Sequence, residues 1–128
     1  MAERTRAAVA ALRRDGRKVV ILEPIPVAPD DFSPINCLSA ATYEDECTFS
    51  GRVEPGTQEQ LFRQLAAADD GVWSLDLDRL VCPDLPRCDP VVDGKVVLYD
   101  SNHLTTGFAA TLADDLDRVL TDAGVLSG

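Results

Sequence analysis

Two residues three positions apart, Asp100 and His103, are the pair in this sequence best suited to carry out chemistry. They lie within the segment Val97–Thr105, where the pattern predicts that a β-strand ends and the last helix begins. On a tight turn both side chains can face one pocket, so that the carboxylate orients the imidazole while the imidazole takes a proton from a nucleophile. His103 is also the only histidine of the chain. We therefore expect Asp100 and His103 to be catalytic.

The nucleophile that such a pair needs is not recognisable. None of the serines lies on a glycine-flanked turn between a strand and a helix, and Ser101 is tethered too closely to His103 for attack. The serines are Ser33, Ser39, Ser50, Ser74, Ser101 and Ser127. The sequence thus indicates half of an active site.

The composition is that of a globular protein with an acidic surface. A chain of 128 residues with 45% hydrophobic residues predicts one domain with a single modest core. The net charge of -10 argues against a nucleic-acid partner, which would require clustered lysines and arginines. No segment resembles a signal peptide or a membrane span, so we expect a chain expressed as given to stay in the cytoplasm. No cofactor is implied.

The four cysteines point to a different compartment. They form two local pairs, Cys37-x9-Cys47 and Cys82-x5-Cys88, whose spacings fit neither common metal sites nor redox motifs. Of the three possible connectivities we favour Cys37–Cys47 and Cys82–Cys88, and disulfides imply an oxidising compartment. Reduced thiols of a cytosolic protein remain the alternative.

The first half of the chain predicts helix, strand, long loop and helix. Residues 3–15 predict an amphipathic helix that Gly16 ends, and the run Val19–Leu22 predicts a strand covered on both faces, as in a parallel sheet. A loop then extends to about residue 56, with a helical turn around 36–43. Thr57 and Gln60 form a capping-box pattern that predicts the start of the second helix, which ends at 69–71. The apolar faces predicted for the two helices are Ala7, Ala8, Val9 and Leu12, and Leu61, Phe62, Leu65 and Ala66.

The second half predicts a strand, a hairpin and a final helix. Residues 72–77 suit a strand, although the spacing up to Val81 also suits a helical turn. Asp93-Gly94 between two valine-rich runs predicts a two-residue hairpin turn. The last helix is expected from Thr105 to about Ala123, with Gly124 at its end, and the whole pattern predicts an α/β class. The residues of this helix expected to face inward are Phe108, Leu112, Leu116, Val119 and Leu120.

Several of these motifs occur together in one family. The block Asp100–Thr105, preceded by the Cys82-Pro83 to Cys88 loop and the Asp93-Gly94 hairpin, resembles the end of an SGNH-type esterase or acyltransferase domain. It is most similar to the SGNH domains fused to integral-membrane sugar O-acyltransferases of bacteria. The segment Lys18–Pro26 resembles the strand that follows the family's Asn motif, so the resemblance covers residues 3–120.

The resemblance implies a fold and a reaction. The fold would be a flavodoxin-like three-layer α/β/α domain, with a short hairpin before the last helix. His103 would be the general base and Asp100 its orienting carboxylate. The domain would transfer or hydrolyse small acyl groups, such as acetyl, on cell-envelope carbohydrate through an acyl-serine intermediate. An acyl donor or acylated carbohydrate and a membrane acyltransferase domain would be the partners, on the periplasmic or extracytoplasmic side.

The chain also departs from the family pattern. The Gly-Asp-Ser block and the Gly and Asn blocks that supply the oxyanion hole do not occur in it. We therefore expect residues 1–128 to be a single, incomplete SGNH-type domain that is inactive alone and that self-associates through the exposed sheet edge at Val19–Leu22. The alternatives are a non-catalytic, disulfide-stapled α/β binding module and, less favoured, a thiol or metal protein that uses the cysteines with His103.

Overall fold

The computed structural model describes residues 1–126, which form a mixed α/β structure of short helices and two-stranded sheets. This agrees with the predicted α/β class. The helices are α1 (Ala2–Arg13), α2 (Pro34–Ala40), α3 (Thr57–Ala68), α4 (Asp78–Val81), α5 (Thr106–Thr111) and α6 (Ala113–Asp122). The strands are β1 (Val19–Leu22), β2 (Phe49–Ser50), β3 (Val72–Leu75), β4 (Arg87–Cys88), β5 (Val91–Val92) and β6 (Lys95–Val96). No helix among residues 1–126 is long and apolar enough to cross a membrane.

The chain folds as two compact units. The first comprises Met1–Pro24, Glu54–Asp76 and the segment from Arg118 onward, and the second comprises Ile25–Val53 and Leu77–Asp117. The first unit is built on strands β1 and β3, and the second on a small core that contains the Cys82–Cys88 disulfide.

The centre of the first unit is a parallel pair of strands. β1 and β3 pair in register from Val19 opposite Val72 to Leu22 opposite Leu75. The predicted strand and its parallel pairing are confirmed. Val19 is buried, but Leu22 is 51% exposed, so the expectation that the whole strand is covered on both faces is wrong at its last residue.

The two helices of the first unit differ in how well the sequence predicts them. α3 packs against β3 with its predicted apolar stripe half-buried, but its N-cap is Gly56 rather than Thr57. The Gln60 side chain donates to the Pro55 carbonyl instead of completing a capping box. α1 ends as predicted near Gly16, which has a φ of 72°. Its predicted inward face is wrong, because only Val9 of the four residues is half-buried, while Leu12 and both alanines are exposed.

The C-terminal helix is interrupted. α5 ends at Thr111 and α6 begins at Ala113, so the expected continuous helix is wrong at Leu112. The Thr111 hydroxyl donates to the Phe108 carbonyl, a local bond of the kind that bends helices. The predicted end is confirmed: Gly124 has a φ of 80°, and the amide of Val125 donates to the Leu120 carbonyl.

The second unit has a small core of buried residues and a hairpin. β2 and β4 form a short antiparallel pair, and α4 follows β3, so that residues 72–81 contain both of the elements that their pattern allowed. Asp93 and Gly94 both have positive φ, 49° and 75°, as a type I′ turn requires, which confirms the predicted hairpin between β5 and β6. The core residues are Ala28, Val81, Cys82, Cys88, Val97, Leu98 and Phe108.

Candidate active site

The Asp100–His103 turn lies between two residues that pair with each other, in a second chain reversal after the β5–β6 hairpin. Leu98 and Leu104 form an isolated antiparallel bridge, and the amide of Tyr99 donates to the His103 carbonyl over 3.0 Å. Leu98 is only 1% exposed and belongs to the core. The turn is therefore held at its base by a buried residue while its tip projects outward.

The carboxylate of Asp100 is held by the backbone of its own turn. Its Oδ1 accepts hydrogen bonds from the amides of Asn102, over 2.9 Å, and His103, over 2.7 Å. The ring of His103 then folds back, so that Nδ1 lies 2.8 Å from Oδ2 and 3.1 Å from Oδ1. The three-residue spacing brings the two side chains together without any other element, as predicted.

The charges of the turn favour an ionised aspartate. The backbone N–H of Asn102 lowers the pKa of Asp100 from its usual value, desolvation opposes this, and the His103 side chain and amide lower it further. Asp100 is therefore a carboxylate at neutral pH and can accept the Nδ1 proton of a neutral imidazole. This contact leaves Nε2 as the ring nitrogen that can accept a proton from a reacting group.

The imidazole is oriented and open to ligands. The His103 side chain is 63% exposed, and its ring stacks on that of Tyr99 with centroids 5.7 Å apart and 25° between planes. The ring has two contacts that restrict its rotation, one to a carboxylate and one to an aromatic face. A group approaching from solvent can reach it.

The residues that flank the turn connect it to the core. Thr105 is the N-cap of α5: its hydroxyl accepts from the amide of Phe108 and donates to the Val96 carbonyl. On the other side, the amide of Ala28 donates to the Ser101 carbonyl over 2.7 Å. Ala28 and Phe108 are each 2% exposed. Hydrogen bonds thus connect the segment Asp100–Thr105 to two core residues, Phe108 nearby in the sequence and Ala28 far from it.

The serines do not complete the site. Ser33 caps α2 by accepting from the amide of Asn36, Ser39 donates to the Asn36 carbonyl, and Ser74 donates to Glu23. Among residues 1–126, Asp100 is the hydrogen-bond partner of the His103 ring. Ser127 lies outside the described residues.

The disulfides have the predicted pairing, Cys37–Cys47 and Cys82–Cys88. A thiol or metal function for these residues, the third alternative, would need reduced sulfur atoms, and all four cysteines are oxidised in the structure. Within the described residues, no group of three histidine, cysteine or acidic side chains is arranged to hold a metal ion.

Two groups of side chains that the tertiary structure brings together were not predicted from the sequence. Glu23 is buried next to Arg63 and Ser74, and a cavity of about 500 Å³ lies between Tyr43–Asp45 and the segment Arg87–Val91. Their members are far apart in sequence, so spacing carries no signal for either group. The one sequence feature that points to the cavity is the long predicted loop that contains Tyr43, because a loop of this length in a small domain is often functional.

The described residues thus form a mixed α/β structure in which an aspartate holds a histidine on an exposed turn. Residues 1–118 match the family described as SGNH domain (fused to AT3 domains), and the chain belongs to this family. The expected resemblance is confirmed, and the domain is related to hydrolases and acyltransferases. Neither a curated protein nor a solved structure matches the sequence.

Proposed function

We propose that this chain supplies the Asp–His half of an SGNH acyl-transfer site, which moves or hydrolyses small acyl groups, such as acetyl, on cell-envelope carbohydrate. The observation that carries the proposal is the 2.8 Å contact between His103 Nδ1 and Asp100 Oδ2 in a turn whose amides hold the same carboxylate. Such a carboxylate selects the tautomer in which Nε2 is the proton acceptor, and it stabilises the imidazolium that forms.

In this reaction, a serine hydroxyl attacks the acyl carbonyl and its proton passes to Nε2 of His103. The tetrahedral intermediate then collapses, the proton is given to the leaving alcohol, and an acyl-serine remains. A carbohydrate hydroxyl or water next loses its proton to Nε2 and attacks the acyl-serine. Collapse of this second tetrahedral intermediate breaks the bond to serine, returns the proton from Nε2 to the serine oxygen, and releases the acylated carbohydrate or the free acid. Asp100 stays ionised throughout, which the lowered pKa of its carboxyl group favours.

The nucleophile and the oxyanion donors would come from residues outside this sequence, since it contains no Gly-Asp-Ser block. Each missing oxyanion donor would remove about 3–4 kcal/mol of transition-state stabilisation, so we expect the chain alone to be inactive. Residues 1–128 would then form one part of a three-layer, flavodoxin-like domain. The parallel pairing of β1 and β3, with α3 packed on β3, supports this arrangement.

The same proposal accounts for partners and compartment. β1 has only β3 as a neighbour among the described residues, so its other edge can pair with further strands of the domain or with a second copy of the chain. The two disulfides favour an oxidising, extracytoplasmic location. The family's description as fused to AT3 domains supports a membrane acyltransferase domain as the partner.

The experiment compares p-nitrophenyl acetate hydrolysis by the chain alone with hydrolysis by a fusion. In the fusion, the chain follows the segment from the Ser block through the Asn block of a full-length member of the family. The chain alone should show no turnover above its His103→Ala variant, and the fusion should show turnover that His103→Ala and Asp100→Ala abolish. A folded, active fusion that His103→Ala leaves unchanged would refute the proposed role of the pair.

A non-catalytic binding module is the second candidate function. The cavity between Tyr43–Asp45 and Arg87–Val91 favours it, because a binding site of this kind requires no nucleophile. The two functions are distinguished by the fusion, since only the first predicts turnover that depends on His103.

A further inference from the structure

The second unit contains a cavity that is separate from the Asp100–His103 turn in its lining residues. Its volume is about 500 Å³, within the range of small-molecule sites. One wall is the segment Tyr43–Asp45, and the other is formed by Arg87 and by residues 89–91. We name it the Tyr43 cavity.

Both walls of the Tyr43 cavity are held in place by covalent bonds and hydrogen bonds. Tyr43–Asp45 lies two residues before Cys47, which is fully buried and bonded to Cys37. Between the wall residues Arg87 and Asp89 lies Cys88, which is fully buried and bonded to Cys82.

Two sets of hydrogen bonds add to these disulfides. The two walls are connected through β2 and β4, where Phe49 lies opposite Cys88. The carboxylate of Glu46 also accepts from the amides of Thr42 and Tyr43, over 2.8 and 2.6 Å. A site made in this way is formed before its ligand arrives, which reduces the entropy lost on binding.

The side chains of the walls combine an aromatic surface with hydrogen-bonding groups. Tyr43 is 71% exposed, so its ring is accessible to a ligand. The guanidinium of Arg87 donates through Nε to Asp89 over 2.7 Å, so its terminal amino groups can donate to a ligand. Asp89 raises the pKa of Arg87, first through this hydrogen bond and then through its charge, with a smaller effect from Asp45.

The charge of the cavity selects among ligands. Three acidic residues, Glu44, Asp45 and Asp89, and one basic residue, Arg87, line the cavity, so its net negative charge would repel an anionic ligand. A simple cation would be repelled by the positive charge of Arg87 in the same cavity. Uncharged hydroxyl groups match the set, because carboxylates accept from them and arginine donates to them, while a tyrosine ring packs on the apolar face of a sugar.

We infer that the Tyr43 cavity binds neutral carbohydrate, with Tyr43 as the stacking platform and Arg87, held by Asp89, as the hydrogen-bond donor. The inference deepens the proposed function and rests on it for biological meaning, since this carbohydrate would be the acceptor or donor glycan. Its physical support is independent of catalysis. The carbonyl of Pro90, in the cavity wall, accepts from the amide of Val97, and the Val97 carbonyl accepts from Thr105, so hydrogen bonds connect the cavity to the base of the catalytic turn.

The test is an NMR titration of the oxidised, full 128-residue chain with maltotriose, chitotriose and trigalacturonate. We expect saturable shifts of the amides of 43–45 and 87–91 with a neutral trisaccharide, and at least about tenfold weaker binding of the anionic one. Tyr43→Ala should weaken binding by about tenfold or more, whereas Tyr43→Phe, which keeps the ring, should stay within about twofold of the parent. Both substitutions change the same exposed side chain, so we expect the fold to be retained.

Matched controls separate the cavity from the rest of the unit. Arg87→Ala should weaken binding, and Arg52→Ala, at an exposed arginine outside the cavity, should not. His103→Ala should bind carbohydrate as tightly as the parent, so that failure of the proposed catalytic role leaves this result intact.

Three outcomes would overturn the inference. The first is that neither neutral trisaccharide shifts the amides of the Tyr43 cavity. The second is that Tyr43→Ala binds as tightly as the parent. The third is that trigalacturonate, or calcium chloride without saccharide, gives the stronger response at the same amides.

Discussion

Removal of the positive charge of Arg63 should reverse the pH dependence of the contribution that Glu23 makes to folding stability. Glu23 follows β1, and its side chain is 3% exposed. Arg63, on α3, donates to both of its oxygens over 2.9 and 2.7 Å, and the Ser74 hydroxyl donates over 2.7 Å. Arg63→Met keeps the aliphatic stem and leaves a buried carboxylate with one neutral partner.

The loss of folding stability expected for Arg63→Met follows from the burial of Glu23. Loss of one partner of a buried pair costs about 3–5 kcal/mol. Because the Arg63 side chain is 44% exposed and Ser74 remains, we expect about 2–4 kcal/mol at pH 7.

Whether this contribution to stability rises or falls with pH follows from the pKa of Glu23. In the parent, the hydrogen bonds from Arg63 lower the pKa of Glu23 below 4.5, the ordinary value of a glutamate, so the stabilisation is present above pH 4.5 and is lost as pH falls through the folded-state pKa. In Arg63→Met, desolvation dominates and raises the pKa. The variant therefore becomes less stable as pH rises above 4.5, and the difference from the parent should shrink to about 1 kcal/mol or less near pH 4.

The assay is urea unfolding followed by the fluorescence of Trp73, the only tryptophan, which lies in β3 and donates from its indole to the Ala123 carbonyl. Arg17→Met is the matched control, since Arg17 pairs with Asp15 at the surface and should contribute less than about 0.5 kcal/mol. The double variant Glu23→Gln/Arg63→Met should lose only the part of the pH dependence that Glu23 contributes. A difference between parent and Arg63→Met that is equal at pH 4 and pH 7 would refute the reasoning.

Three further predictions concern the second unit. In the active fusion, Asp100→Asn should lower kcat by about 10²–10⁴-fold while substrate binding is retained, because the ring of His103 loses its orienting acceptor; steady-state kinetics measures this. Cys82→Ser/Cys88→Ser should lower the free energy of unfolding of this unit by about 2–3 kcal/mol, because the unfolded chain is no longer constrained; hydrogen exchange measures this. Gly94→Ala should cost about 1 kcal/mol in chemical denaturation, because Gly94 has a φ of 75°.

For each of these three predictions, one experimental result would contradict the reasoning. An Asp100→Asn fusion with unchanged kcat would show that the carboxylate does not orient the histidine. Equal exchange protection with and without the Cys82–Cys88 bond would show that the core of the unit does not need it. Gly107→Ala is the control for the hairpin, since nothing lies within 4 Å of an added Cβ there and its φ is not positive; equal effects at both glycines would contradict the turn argument.

Features that depend on neighbours in sequence were predictable. The strand Val19–Leu22 follows from its run of β-branched residues, and the hairpin follows from the demand of a type I′ turn for positive φ at Asp93 and Gly94. The disulfides close short loops, with sequence separations of 10 and 6. The Asp100–His103 contact belongs to the same class, because both of its partners lie in one turn.

Features that depend on what packs on a residue were not predictable. α1 has the apolar pattern of a packed helix, yet Leu12 is 53% exposed, because a pattern describes one face of a helix and not whether another element covers it. The break at Leu112 depends on a local hydroxyl bond that competes with the helix, and the N-cap at Gly56 moves the predicted capping residue into the first turn.

The sequence by itself determined the strand, the hairpin, the disulfide pairs and the candidate catalytic pair, because each is encoded by residues a few positions apart. Only the tertiary structure decided that Glu23 is buried against Arg63, 40 residues away, and that the walls of the Tyr43 cavity meet. The physical reason is that burial and cavities arise from contacts between distant segments. These contacts depend on how the whole chain excludes water, and no local spacing records them.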